Sequence, residues 1–80
     1  MNTDAVHTAT LDTRGLLCPM PVIKTQNKIK TMENGETLLV IATDPGVKQD
    51  IPTWCRINGH EVLDISEKQL DILISIKVER

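Results

Sequence analysis

Thr37-Leu38-Leu39-Val40-Ile41-Ala42 is the stretch around which the rest of the chain can be arranged. It is an almost unbroken apolar run rich in branched residues, the composition of a strand in the middle of a sheet. On its N-terminal side, Asn34-Gly35 supplies the stop for an amphipathic helix over 19–32. There Val22, Ile29 and Met32, with Thr25 between them and Ile23 beside the stripe, recur at intervals of three or four. Lys24, Lys28 and Lys30 occupy the other face. A short alternating strand over 8–12 precedes this helix, and the turn signal Arg14-Gly15 separates the two.

On the C-terminal side, Asp44-Pro45 begins a turn or a helix, and Val47, Ile51, Trp54, Cys55 and Asn58 mark one side of a second helical stretch that ends at Gly59. A proline inside a helix removes one hydrogen bond and crowds the preceding turn. The helix is therefore expected to start at Asp50, a good N-cap, which leaves Pro52 in the tolerant first turn. Two strands over 61–66 and 70–78, joined around Glu67-Lys68-Gln69, close the chain as a hairpin. In the last strand Ile72, Ile74, Ile76 and Val78 alternate with Asp71, Leu73, Ser75 and Lys77, which predicts one buried face and one mostly wet face. The order βαβαββ predicts an α+β domain, one sheet covered on a single face by two helices. That domain is expected to span 8–80, with 1–7 as a flexible N-terminal segment.

Eighty residues make one domain with room for one small core, carried here by Ile, Leu and Val with Trp54 as the sole aromatic residue. Eleven acidic against nine basic residues leave a formal charge of -2, which offers no general attraction to a nucleic-acid backbone. No apolar run approaches the roughly 18 residues of a membrane span, and MNTDAVHTAT lacks the basic flank and apolar stretch of a signal peptide. A cytoplasmic location is expected. Cys18 and Cys55 allow at most one bridge, fewer than disulfide-dependent small secreted domains carry, so both are expected as reduced thiols. Neither has a Cys or His at zinc-ligand spacing, and His7 and His60 lie far apart, so neither a metal nor a cofactor is expected.

Between the first strand and the first helix lies Gly15-Leu16-Leu17-Cys18-Pro19-Met20-Pro21-Val22. If Cys18 is the N-cap, two of the four unpaired positions that open the helix are prolines, and the Met20 amide is the natural donor to the cap side chain. A thiolate there gains from that amide and from the positive end of the helix dipole, which predicts a nucleophilic Cys18. Pro19 favours extended geometry at Cys18, whereas Pro21 disfavours helical geometry at Met20 and allows the helix to start at Pro21 instead. Either register keeps the sulfur at the helix N-terminus. The competing reading makes Cys18 a small buried hydrophobe and the prolines mere helix starters. Cys55, on the apolar side of the second helix, reads as packing, and so does Trp54.

At these residues the sequence resembles the TusA family of sulfur carriers, also called SirA-like proteins. The resemblance runs from Leu11 to about Val78. It includes Leu11-Asp12 and Gly15 ahead of Cys18-Pro19-Met20-Pro21, then Asn34-Gly35-Glu36, Asp44-Pro45 and Gly59-His60-Glu61. It implies a two-layer α/β sandwich with a four-stranded mixed sheet, and a persulfide carried on Cys18 with Gly15, Pro19, Met20 and Pro21 in support. The implied activity is that of a sulfurtransferase-type carrier working with partner proteins. Donors are a cysteine desulfurase or a rhodanese-like protein, and acceptors a DsrE/TusD-like relay for tRNA thiolation, molybdenum-cofactor assembly or sulfur oxidation. The cargo is a persulfide sulfur or thiosulfate.

In the family the position between the prolines is acidic in some members and apolar in others; Met20 predicts that no carboxylate opposes the thiolate. Lys24 and Lys28, one turn apart, and Arg14 are candidate contacts to acidic partners, against the reading of a solvated surface. The free chain is expected as a monomer. Two other classes compete: a regulatory interaction module in which the thiol is incidental, and a thiol redox protein, which requires the Cα atoms of Cys18 and Cys55 within about 7 Å.

Overall fold

In the computed structural model, which describes residues 7–79, the elements follow one another as β1 (Ala9–Thr13), α1 (Met20–Ile29), β2 (Thr37–Ala42), α2 (Val47–Asn58), β3 (Glu61–Lys68) and β4 (Asp71–Lys77). The strands form one sheet in the order β1-β2-β4-β3. β1 is parallel to β2, whereas β4 runs antiparallel to both β2 and β3, so the sheet is mixed. The run of branched residues that predicts a central strand is indeed an inner strand. Of the tail assigned to 1–7, residues 1–6 lie outside the described residues, and His7 hydrogen-bonds through Nε2 to Ser75 Oγ at 2.8 Å.

Registration of β2 on β4 places Leu38 opposite Ile76, Val40 opposite Ile74 and Ala42 opposite Ile72. These six side chains share a face because side chains one residue apart point to opposite sides of a strand. All six are buried, and they pack with Val47, Ile51 and Cys55 of α2 and Ile29 of α1 in a single core. The helices therefore lie on one face of the sheet, as the element order predicts. On the buried side of α1 the residues are Pro21, Thr25 and Ile29, spaced by four, with Met32 of the following turn also in the core. The other face is less wet than the alternation suggests, because Ser75 is buried and takes the His7 ring.

Three boundaries depart from expectation by more than one residue. α1 ends at Ile29, and the chain continues to Met32 through tighter turns in which Thr31 and Met32 donate to the carbonyls of Lys28 and Ile29. The hairpin turn lies at Gln69-Leu70, with β3 running on to Lys68, because Gln69 takes a positive φ of 59° and so reverses the chain later than the expected turn at 67–69. α2 begins at Val47, three residues before Asp50, and Pro52 lies inside it. Asp44 causes the early start. Its Oδ1 accepts from the Gly46 amide and its carbonyl from the Val47 amide, which winds the chain into helical geometry before Asp50 is reached. The C-terminus of α2 is as expected: Gly59 adopts φ 84°, and the His60 amide donates to the Cys55 carbonyl at 2.8 Å.

Candidate functional site

β1 and β2 are parallel neighbours, so the loops that leave their C-terminal ends lie side by side. One loop carries Cys18 and the other Asp44, and each leads into a helix. The Gly15 amide donates to Thr43 Oγ1 at 2.9 Å, which ties the two loops together. Gly15 itself has a φ of 82°, a conformation that favours glycine and turns the chain out of β1 toward the cysteine.

Cys18 is exposed and reduced. Its amide donates to Asp44 Oδ2 at 2.9 Å, and its Sγ donates to Asp50 Oδ2 at 3.0 Å. Pro19 is the N-cap residue of α1, so Cys18 stands immediately outside the helix, between the two registers that the prolines allow. The Met20 amide is not available to the sulfur: it donates to the Leu17 carbonyl at 2.9 Å. The expectation of a thiol eased toward the thiolate by that amide is therefore corrected.

The expectation that no carboxylate opposes the thiolate is corrected as well. Met20 is apolar, but Asp50 reaches the sulfur from the first turn of α2. The Asp50 hydrogen bond, removal from water and the charges of Asp50 and Asp44 push the Cys18 thiol above its ordinary value. Asp44 behaves oppositely. Hydrogen bonds from the amides of Gly46 and Cys18 hold its carboxyl below the usual range, so it stays charged and keeps its grip on the loop. A Cβ at Gly46 would meet Asp44 Oδ1 at 3.5 Å and Asp50 Oδ2 at 3.7 Å, so the two carboxylates flank one glycine.

Around the sulfur lies an open depression between the two helices, lined by Pro19 and Val22 from the first and by Gln49, Asp50, Thr53, Trp54 and Ile57 from the second. Its lining mixes the polar Gln49, Asp50 and Thr53 with apolar side chains, and large apolar residues stand exposed at or near Cys18 in the chain. Leu17 is 73% exposed, Met20 40% and Ile57 75%. Trp54 packs partly against the core and stacks on His60 with ring centroids 5.4 Å apart, in keeping with a packing role. Pro21 is buried at the start of α1.

The candidate contacts of opposite charge do not converge on this depression. Lys24 and Lys28 line a separate groove with Leu11, Asn27 and Thr31, on the side of α1 toward β1. Arg14 is engaged within the chain, 2.9 Å from Asp12 and 3.5 Å from Asp71, and its hydrogen bonds pull the Asp12 carboxyl down to about 2. Cys55 matches its reading as a packing residue: it is fully buried in the core, and burial pushes its thiol up to about 11.

The sequence reading makes Asp50 a helix cap and Asp44 the start of a turn or a helix, and it misses the hold of both on Cys18. The available signal was topological. If two parallel strands are each followed by a helix, an acidic residue at the start of the second helix lies near a cysteine at the start of the first.

Three comparisons bear on this arrangement. The sulfurtransferase TusA family matches residues 9–78. The sulfur carrier protein TusA of Pseudomonas entomophila (strain L48) is 46% identical over 66 residues, which cover 82% of each chain. The crystal structure of a SirA-like protein from Desulfitobacterium hafniense superposes with a TM-score of 0.80 over 90% of this chain and 99% of that one; at 23% identity it speaks for the fold alone. Among the described residues no helix is long and apolar enough to cross a membrane. With the family match extending over nearly all of its 80 residues, this chain belongs to the TusA sulfurtransferase family.

Proposed function

We propose that this chain is a sulfur carrier that accepts sulfur as a persulfide on Cys18 and passes it to a downstream acceptor protein. The observation that carries this reading is the contrast in access between the two thiols: Cys18 is exposed in an open depression between the helices, and Cys55 is sealed in the core. Thiol exchange needs an accessible sulfur and a leaving sulfur, without a dedicated triad. In the uptake step Cys18 loses its proton, and its Sγ bonds to the outer sulfur of the donor persulfide. The donor's S–S bond breaks, and the departing donor cysteine takes up the proton. Delivery repeats the exchange: an acceptor thiolate attacks the outer sulfur of Cys18-S-SH, and Cys18 leaves as the thiolate and is reprotonated. No net oxidation or reduction accompanies either step.

Sulfur donors and acceptors are the partners of such a carrier. A cysteine desulfurase or rhodanese-like protein is the donor class we assign and a DsrE-like protein the acceptor, with the relay in the cytoplasm and its outlet in tRNA thiolation, molybdenum-cofactor assembly or sulfur oxidation. Exposed apolar side chains support docking of a partner over the sulfur: Ile57 in the lining of the depression, and Leu17 and Met20 within two residues of Cys18 along the chain. Intact mass after incubation with a persulfide donor tests the reading. A gain of one sulfur atom, reversed by reductant and absent in Cys18→Ser, is expected. Unchanged mass with several competent donors would overturn it.

A further inference from the structure

The direction in which its surroundings push Cys18 is unusual for a nucleophile. Reactive cysteines commonly sit beside cations or amides that favour the thiolate, whereas here the sulfur donates a hydrogen bond to a carboxylate 3.0 Å away. The contact is not an accident of a wandering side chain. Asp50 is half-buried, its backbone is fixed in the first turn of α2 by donation from its amide to the Gly46 carbonyl at 3.0 Å, and its side chain caps no helix amide. The other side of the contact is fixed too, because Asp44 holds the Cys18 amide from the adjoining loop.

We propose that Asp50 is a positioning residue for Cys18: it holds the sulfur as a hydrogen-bonded thiol in the free carrier, and the sulfur becomes a nucleophile when the carboxylate is neutralised or drawn away. The inference rests on the carrier reading of Cys18 and adds the control of its reactivity. Only the thiolate attacks a sulfane sulfur or an oxidant. A carrier locked as the thiol is spared wasteful oxidation and alkylation while it travels between partners. A partner that lays a lysine, an arginine or an N–H donor against Asp50 removes the opposition to ionisation as it covers the depression, and it activates the sulfur only where transfer can follow.

The charged groups acting on Cys18 can be named from each element that surrounds it. α1 contributes Pro19 and Val22, both uncharged. α2 contributes Gln49, Thr53, Trp54 and Ile57, also uncharged, together with Asp50. The loop before α2 contributes Asp44, whose charge acts in the same direction as that of Asp50 but more weakly. Lys24 and Lys28 line another groove, and among the described residues no cation lines this one. Asp50 is thus the group whose removal changes the sulfur most.

The test is the pH dependence of iodoacetamide alkylation, read by mass on the full chain and assigned to each cysteine by peptide mapping. In the native protein the Cys18 midpoint is expected above that of the same residue in the urea-unfolded chain. Asp50→Asn and Asp50→Ala are expected to lower the native midpoint, and each unit of that fall means about tenfold more thiolate at neutral pH. Cys55 serves as an internal control, since it stays unlabelled as long as the core is closed. Should either variant fail to fold, Cys55 will label and the comparison of native with unfolded wild type decides alone. A native midpoint at or below the unfolded one overturns the inference, and so does a midpoint unmoved in folded Asp50→Asn. Sulfur loading is read separately by the mass gain. Normal loading with an unmoved midpoint would remove the role of Asp50 and leave the carrier; no loading with a lowered midpoint would remove the carrier and leave the Asp50–Cys18 coupling.

Discussion

The two cysteines lie in regions that suppress ionisation by different means. Cys55 is buried among aliphatic side chains, where loss of hydration disfavours the thiolate and burial alone accounts for the shift to about 11. Cys18 is exposed, and its largest opposing influence is one carboxylate. The difference teaches which suppression can be undone without unfolding. Hydrating Cys55 means opening the core, whereas engaging Asp50 means meeting a half-buried side chain on the surface. One thiol is inert for as long as the fold lasts, and the other is conditionally quiet.

Exchanging each sulfur for oxygen separates the two regions most sharply. Cys18→Ser should abolish sulfur uptake outright while leaving stability within about 0.5 kcal/mol of wild type, as for an exposed site; loading followed by mass and urea unfolding check both halves. Cys55→Ser should do the reverse. It leaves a hydroxyl in an aliphatic pocket at a cost of about 1–3 kcal/mol, and sulfur uptake by the fraction that remains folded is unchanged. Uptake lost in folded Cys55→Ser would bring the thiol redox reading back, because the second sulfur would then take part in the chemistry.

The next effect is graded with pH. Burial pushes the Cys55 thiol from its ordinary value of 9.0 up to about 11 in the native protein, so between these values the unfolded chain is expected to lose a proton that the native one keeps. The unfolded state binds fewer protons there, and stability falls as pH rises, by at most about 1.4 kcal/mol per unit. Below pH 9 the contribution is fully present. Urea midpoints across this range in wild type and Cys55→Ala measure it, and the slope attributable to this group should vanish in the variant.

The smallest effect tests the separation of the two grooves. Lys24→Ala with Lys28→Ala should leave sulfur uptake from a small-molecule persulfide within about twofold of wild type, because these lysines do not line the depression around Cys18. A large loss with a small donor would show that their charge reaches the sulfur.

Strand and helix identity were legible because they depend on neighbours in sequence. The six-residue run of β2 and the four-residue spacing on α1 carry their own burial pattern, and Gly59 ends α2 by a local conformational preference. The start of α2 was less legible. In the sequence Pro52 carries the weight of a boundary, whereas a turn at Asp44 already begins the helix and the chain accepts one missing hydrogen bond within it. That error had a consequence for the site. Once Asp50 is taken for a helix cap, its carboxylate seems accounted for, and the cysteine appears free of opposing charge.

By itself the sequence determined a βαβαββ domain with a cysteine placed where the first helix begins, since periodicity, turn residues and the Cys-Pro-Met-Pro motif all act over a few residues. Only the tertiary structure decided the electrical setting of that cysteine. Asp44 and Asp50 stand 26 and 32 residues away along the chain, and they meet Cys18 because two parallel strands release their following loops at the same edge of the sheet. Charge acts through space, so a local reading of the motif finds a helix dipole that favours the thiolate, and the folded chain adds a carboxylate that acts in the opposite direction.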